Sequence, residues 1–388
     1  MKFNFFHLMP YPYLPDEAHE KFPGITLTFP NSYFDPKQGQ KTYHRYLDEL
    51  EYADKLGFDG ICCNEHHQTA YGIMPSPNII AAALSRRTSN AQIMVLGNAI
   101  GIRDHPLRVA EEIAMLDHLC DGRLASGFVR GIGWEYFAHS INPTKSRERF
   151  NEAHDLIIKA WTSDEMFEWY GENYEFRYVN IWPRPLQKPH PPIFIPGFGS
   201  KETIKFCAEH RYSFMSVYAP WKMIKLWFDW YRAAEEEEGY EPDPEKLVYT
   251  IPVYVAENDA TAIAEAREPI EWLFHKALNL KAELFWPPGY MSGSSLRGML
   301  QSGMKSFPDT TYEELLDQRY VLVGSPSTVA EQIAELQQEL GFGSMNLLMA
   351  IGNLSHEQTI QSTEMFASEV MPQFRKAQSA AEPAAATR

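Results

Sequence analysis

The sequence predicts a single-domain α/β protein, a closed (β/α)8 TIM barrel with insertions, over residues 1–376. Three observations predict it. Eight short apolar runs with strand character each give way to a segment with helical apolar spacing; such alternation builds a parallel sheet, and eight units close it into a barrel. Only one segment turns back on itself as a hairpin. The chain has 388 residues, 44% hydrophobic and 13% aromatic, which is ample for one large core. Single barrels with insertions run beyond about 250 residues, so this length does not demand a second domain.

The elements follow in order. Phe3–Met9 reads as a buried strand, and a Pro- and aromatic-rich loop runs on to about Gly39. Tyr46, Leu47, Leu50, Ala53 and Leu56 have helical spacing, and Gly57 stops that helix. Phe58–Cys63 is the second strand. Ser76 and Pro77 read as an N-cap with Pro at the first helical position, opening a helix to about Arg87. Gln92–Asn98 and Arg123–Val129 are strands, followed by helices over Pro106–Leu119 and Arg147–Trp161. Residues 166–182 read as an inserted hairpin turning at Gly171. Ile193–Ile195, Tyr212–Val217 and Val248–Val255 are the next strands, with helices over Ser200–His210, Lys222–Glu238 and Thr261–Leu280. Met345–Ala350 and a helix over His356–Phe374 complete the set. Residues 283–308, rich in Pro, Gly, Ser and Met, read as a lid beside a site. Residues 377–388 read as a disordered Ala/Ser/Pro/Glu tail.

The net charge of −16, from 51 acidic and 35 basic residues, argues against nucleic acid or an anionic membrane surface as partner. Four sparse cysteines fit a reducing cytoplasm. The apolar start is too short for a secretory signal, and no apolar run reaches the roughly 18 residues of a membrane span.

Three stretches carry chemistry. Cys62-Cys63-Asn64-Glu65-His66-His67 ends the second strand with three adjacent ionisable groups, at the end where α/β proteins keep their catalytic residues. A metal site, a general acid/base histidine and a hydrogen-bonded core pair all fit the triplet. No His-x-His pair accompanies it, so no metal is assigned. A proton-handling imidazole needs only one ring at the barrel mouth. In the second stretch, the strand through Ser126 and Gly127 delivers Arg130, followed by Gly131 and Gly133. An arginine with freed backbone N–H groups suits a phosphate, and so does a surface turn. The small residues before it let a ligand or another backbone come close. In the third, Gly197-Phe198-Gly199-Ser200-Lys201 follows a strand and opens a helix, again suiting phosphate or simply capping the helix. Arg147, opening another helix, is a further cation or a solvated partner of Glu148 or Glu152. Asn98, at a strand end, is placed to donate to a ring carbonyl or to cap a turn.

Taken together, these residues resemble the bacterial luciferase-like family of flavin-dependent monooxygenases. The resemblance runs from Met1 to about Phe374. It rests on Leu56-Gly57-Phe58-Asp59 through Glu65-His66-His67, on His105-Pro106-Leu107-Arg108-Val109-Ala110-Glu111-Glu112, on Gly122-Arg123 through Arg130-Gly131, and on Val323-Gly324-Ser325-Pro326. It implies the same barrel. It also implies reduced FMN supplied by a separate NAD(P)H:flavin reductase, O2, a C4a-peroxyflavin, a small and largely apolar organic substrate, and a homodimer. By resemblance, His66 is the catalytic histidine, Arg130 and Arg147 grip the phosphate with Gly131, and Gly199-Ser200 forms the phosphate-binding helix start. Val129 stands where the luciferase alpha subunit has a reactive cysteine, which argues against light emission, and Lys201 stands where that subunit has threonine. A deazaflavin- or FMN-linked dehydrogenase on the same barrel and a metal-dependent barrel hydrolase are the rival readings.

Overall fold

A computed structural model describes residues 1–22, 24–293, 297 and 305–379. Eleven strands occur among them: β1 (Lys2–Phe6), β2 (Gly60–Cys63), β3 (Gln92–Ala99), β4 (Leu124–Val129), β5 (Phe167–Tyr170), β6 (Glu175–Val179), β7 (Ile193–Gly197), β8 (Ser213–Ser216), β9 (Leu247–Val255), β10 (Leu322–Gly324) and β11 (Ser344–Leu348). β1, β2, β3, β4, β7, β8, β9 and β11 pair in that order, all parallel, and β11 closes onto β1. This is the expected eight-stranded barrel. β5 and β6 form the expected antiparallel hairpin outside it.

Alternation along the strands sorts the core into two layers. Phe3 and Phe5 point outward to the helices, Phe3 edge-on to Phe366 at 5.4 Å and Phe5 edge-on to Phe58 at 5.6 Å. Phe6, Cys62, Met94, Leu96, Met215 and Leu348 point inward. Asn4 crosses the lower barrel, donating to Ser344 Oγ at 3.0 Å and Asn346 Oδ1 at 2.8 Å, so its buried amide is satisfied.

Four features differ from the expectation. The helix expected from Tyr43 starts at Pro36, because Asp35 caps it by accepting from the Lys37 and Gln38 amides; a short helix, Asp16–Lys21, precedes it in the expected loop. β1 stops at Phe6, where the next residues turn into the site. A short helix, Gly133–Ala138, follows the Arg130 loop. The enlarged unit before β11 contains a further strand and helix, β10 and Pro326–Leu340. β10 lies outside the closed barrel and pairs with the last three residues of β9. The centre of the expected lid, residues 294–296 and 298–304, lies outside the described residues, as does the expected tail from residue 380 onward; residues 377–379 continue a helix. No helix among the described residues is long and apolar enough to cross a membrane.

Candidate active site

A cavity of about 920 Å³ opens at the C-terminal ends of the strands. It is lined from Phe6 at the end of β1 and Leu8 after it, Glu65 and His66 after β2, Gly97 in β3, Arg130 after β4, Gly199 and Ser200 after β7, and Tyr218 after β8. The described flanks of the insertion, among them Phe285, Trp286, Tyr290 and Met291, line it from above.

The two ends of this cavity differ in character. At one end Arg130 and Arg147 converge with the start of the helix Lys201–Glu209. Arg130 donates to Ser146 Oγ at 3.1 Å and to the Tyr290 carbonyl at 2.9 Å, and its guanidinium lies 4.0 Å over the Tyr290 ring. Tyr290 in turn donates its hydroxyl to the Gly131 carbonyl at 2.5 Å, so loop and insertion hold each other. Gly131 has φ +90°, a conformation that favours glycine. Arg147 donates to Ser200 Oγ at 3.3 Å. Burial and the Arg130 charge both lower its pKa. Gly199 has φ +70°, and a Cβ there would sit 2.0 Å from the Trp227 ring, so no other residue fits. Ser200 accepts from the Thr203 amide and donates to Glu202 Oε2 at 2.7 Å. Burial works to raise the Glu202 pKa; hydrogen bonds, Ser200's first among them, and the Arg147 charge outweigh it and hold the carboxyl at about 2. Lys201 brings a third cation, its Nζ 4.6 Å over the Trp230 ring. Arg130, Arg147 and Lys201 gathered around Glu202, in a protein of net charge −16, make a corner suited to an anion.

The other end is aromatic and holds the strand-end triplet. The His66 ring lies against Tyr71 at 4.9 Å and Trp134 at 5.9 Å. Its Nδ1 is enclosed and 3.5 Å from Glu135 Oε1, and neither atom makes a hydrogen bond among the described residues. Glu135 is 1% exposed, and its second oxygen accepts from the Ile132 amide at 2.8 Å. Glu65 faces away from His66 in function. It accepts from the Ala99 amide and from Arg103 and pairs with His67 at 2.6 Å, which ties the ends of β2 and β3 together. The Tyr71 and Tyr218 hydroxyls lie 3.4 Å apart in the same wall.

His66, Arg130, Gly131, Arg147, Gly199 and Ser200 are therefore brought to one cavity. Asn98 is not. It is fully buried, and its amide exchanges hydrogen bonds with Asn78 at 3.1 and 3.2 Å on the helix Pro77–Ser85 outside the barrel. Gly97 takes its place at the cavity wall. Gly127 serves the backbone: a Cβ on it would meet the Val95 carbonyl at 2.6 Å. Tyr71, Trp134, Glu135, Glu202 and Tyr218 were not expected. Of these only Glu135 leaves a trace in the sequence, as an acid three residues after a loop residue at a helix start.

The chain is 29% identical over 164 residues to the oxygenase component of flavin-dependent trigonelline monooxygenase from Acinetobacter baylyi, covering 42% of this chain and 45% of that protein. It is 25% identical over 341 residues to limonene 1,2-monooxygenase from Rhodococcus erythropolis, covering 85% and 81%. For two relatives the matched stretch amounts to only 45% and 60% of their length. The oxygenating constituent of 3,6-diketocamphane monooxygenase from Pseudomonas putida, solved in complex with FMN, shares the fold with a TM-score of 0.74 at 22% identity, covering 96% of this chain and 98% of that one. The luciferase-like monooxygenase family model matches residues 24–343. The chain belongs to the luciferase-like monooxygenase family.

Proposed function

We propose that this protein is the oxygenase component of a two-component monooxygenase, taking reduced FMN from a separate NAD(P)H:flavin reductase and using O2 to oxygenate a small, largely apolar substrate. One observation carries the reading: a single cavity has a cationic corner at one end and, among aromatic rings at the other, a histidine set beside a buried carboxylate. The fit to FMN rests on that corner. Two arginines side by side repel each other, and a phosphate would relieve that repulsion while the Gly199 backbone and the helix start cradle it. When bound, reduced FMN supplies the electrons and the activation of O2.

The chain's own residues do the rest. Arg130, Arg147, Gly131, Gly199 and Ser200 hold the phosphate. The Glu135 carboxylate beside Nδ1 of His66 favours a proton on that nitrogen and leaves Nε2 as the acceptor facing the cavity. His66 then takes or returns a proton at Nε2. Trp134, Phe285 and Trp286 wall off water at this end. Tyr71 donates its hydroxyl to that of Tyr218, which leaves the Tyr218 hydroxyl as one donor on an otherwise apolar wall and selects a neutral substrate with one hydrogen-bond acceptor, such as a ketone.

Reconstitution with a flavin reductase, NADH and FMN on a substrate panel tests this. Product heavier than substrate by one oxygen atom supports it. Substrate dehydrogenation coupled to deazaflavin reduction, with no oxygen incorporated, refutes it.

A further inference from the structure

A second cluster of ligating side chains lies outside the cavity. His154 and Asp155 sit on the helix Ser146–Thr162, about two turns beyond Arg147. His210 caps the end of the helix Lys201–Glu209. One ligand atom from each lies within 4.8 Å of the others. We propose that these three residues form a binding site for a divalent transition metal of the zinc type.

The hydrogen bonds set the imidazoles up for it. His210 Nδ1 lies 2.9 Å from the Phe206 carbonyl, which can only accept. The proton is therefore on Nδ1, and the Nε2 lone pair is free on an exposed side chain. A ligating histidine has this arrangement as a rule, its second nitrogen donating to a carbonyl or carboxylate. His154 Nε2 lies 2.9 Å from the Tyr212 hydroxyl, and its Nδ1 lies 2.9 Å from Asp155 Oδ1. A tyrosine hydroxyl can donate or accept. Without metal it donates to Nε2 while Nδ1–H faces Asp155. With metal it accepts from Nε2–H, and Nδ1 and the carboxylate both turn their lone pairs to the ion. Their present 2.9 Å separation is a hydrogen-bond distance; two ligands of a tetrahedral zinc stand about 3.3 Å apart, so the carboxylate has only a few tenths of an ångström to move.

The rings are held in place. His210 stacks on Tyr212 at 5.2 Å and lies tilted against Phe206 at 4.4 Å, and His154 stands edge-on to both Phe206 and His210 at 4.9 Å. Asp155 is 62% exposed and can swing the remaining distance. Two imidazoles and one carboxylate form a donor set for zinc rather than for magnesium or calcium. The bound ion would join two helices whose opposite ends carry Arg147 and Ser200.

The test is calorimetric titration of chelator-stripped, full-length protein with zinc sulfate, and with magnesium chloride in parallel. We expect one zinc per chain, a Kd in the micromolar range, and no heat from magnesium. His210→Ala and Asp155→Asn, both at exposed positions that leave the core intact, should each weaken zinc binding by about tenfold or more. Cobalt(II) should give the visible absorption of a nitrogen- and oxygen-ligated site, lost in His210→Ala. Absence of saturable zinc binding, equal binding of magnesium, or undiminished affinity in both variants would overturn the proposal.

Discussion

Arg147→Gln should separate the phosphate grip from the fold. Among the described residues Arg147 makes one long hydrogen bond, 3.3 Å to Ser200 Oγ, and burial first and then the neighbouring Arg130 charge lower its pKa. Glu202 opposes this repulsion. A single weak bond set against a like-charge contact makes the side chain worth little to the empty protein, within about 1 kcal/mol of nothing. A phosphate changes the sum. One charge-assisted hydrogen bond contributes about 1.5–3 kcal/mol, so its loss should raise the Kd for reduced FMN by roughly 13- to 160-fold. Riboflavin, which has the same ring but no phosphate, should bind wild type and variant equally.

The assay is anaerobic titration of reduced FMN and reduced riboflavin into both proteins, with urea unfolding of the flavin-free forms alongside. Equal loss of affinity for FMN and riboflavin would place Arg147 against the ring or in the fold. A change in FMN affinity below about threefold would remove it from the phosphate site.

Three further outcomes follow from the same geometry. Glu202→Gln removes a carboxylate held at about 2, and hence fully charged at neutral pH, from beside the arginines; FMN should bind about tenfold tighter, by the same titration. His66→Ala should lower the oxygenation rate by roughly 10²- to 10⁴-fold and leave FMN affinity nearly unchanged, measured by product formation and titration. Glu49 is buried with partners His7 and His356 at 2.9 Å and Arg45 at 2.7 Å, and Glu49→Gln should cost about 3–5 kcal/mol in urea unfolding at neutral pH. Burial works to raise its pKa, but the hydrogen bonds from His356 and His7 outweigh this and hold it at about 2 against an ordinary 4.5. Its contribution is therefore complete above pH 4.5 and is lost as pH falls toward 2, so wild type and variant should converge over that window. The His356 pKa is raised by its hydrogen bond to Glu49, so its share is complete below 6.5 and fades as pH climbs past its folded value.

The barrel was legible because its signal repeats. Each strand brings an apolar run and each helix a 3.6-residue period, so an error at one boundary leaves the count intact. What escaped was short or locally coded. β10 has three residues and pairs only with the end of β9, too little for any period to show. The helix expected from Tyr43 begins early because one cap, Asp35 before Pro36, outweighs seven residues of weak pattern. The glycine- and arginine-bearing loops were legible for another reason. A backbone at φ +70° or +90° leaves its mark as glycine, whatever the tertiary structure around it. Tyr71 and Tyr218 leave no such mark; they meet across 147 residues of sequence, and only the closed barrel brings them together.

Asn98 shows where strand reasoning fails. Along β3, Ile93 and Val95 belong to the outer layer and Met94 and Leu96 to the inner one. Strict alternation would turn residue 98 inward, onto the cavity wall. The register of β3 against β4 shifts between Val95 and Asn98, where Gly97 packs so closely on Gly127 that a Cβ would meet its carbonyl at 2.6 Å. One extra residue reverses the faces that follow. Asn98 then points out to Asn78, and Gly97 is left to present bare backbone to the cavity. Both glycines are visible in the sequence. Their pairing across two strands is not, and the face of Asn98 depends on that pairing.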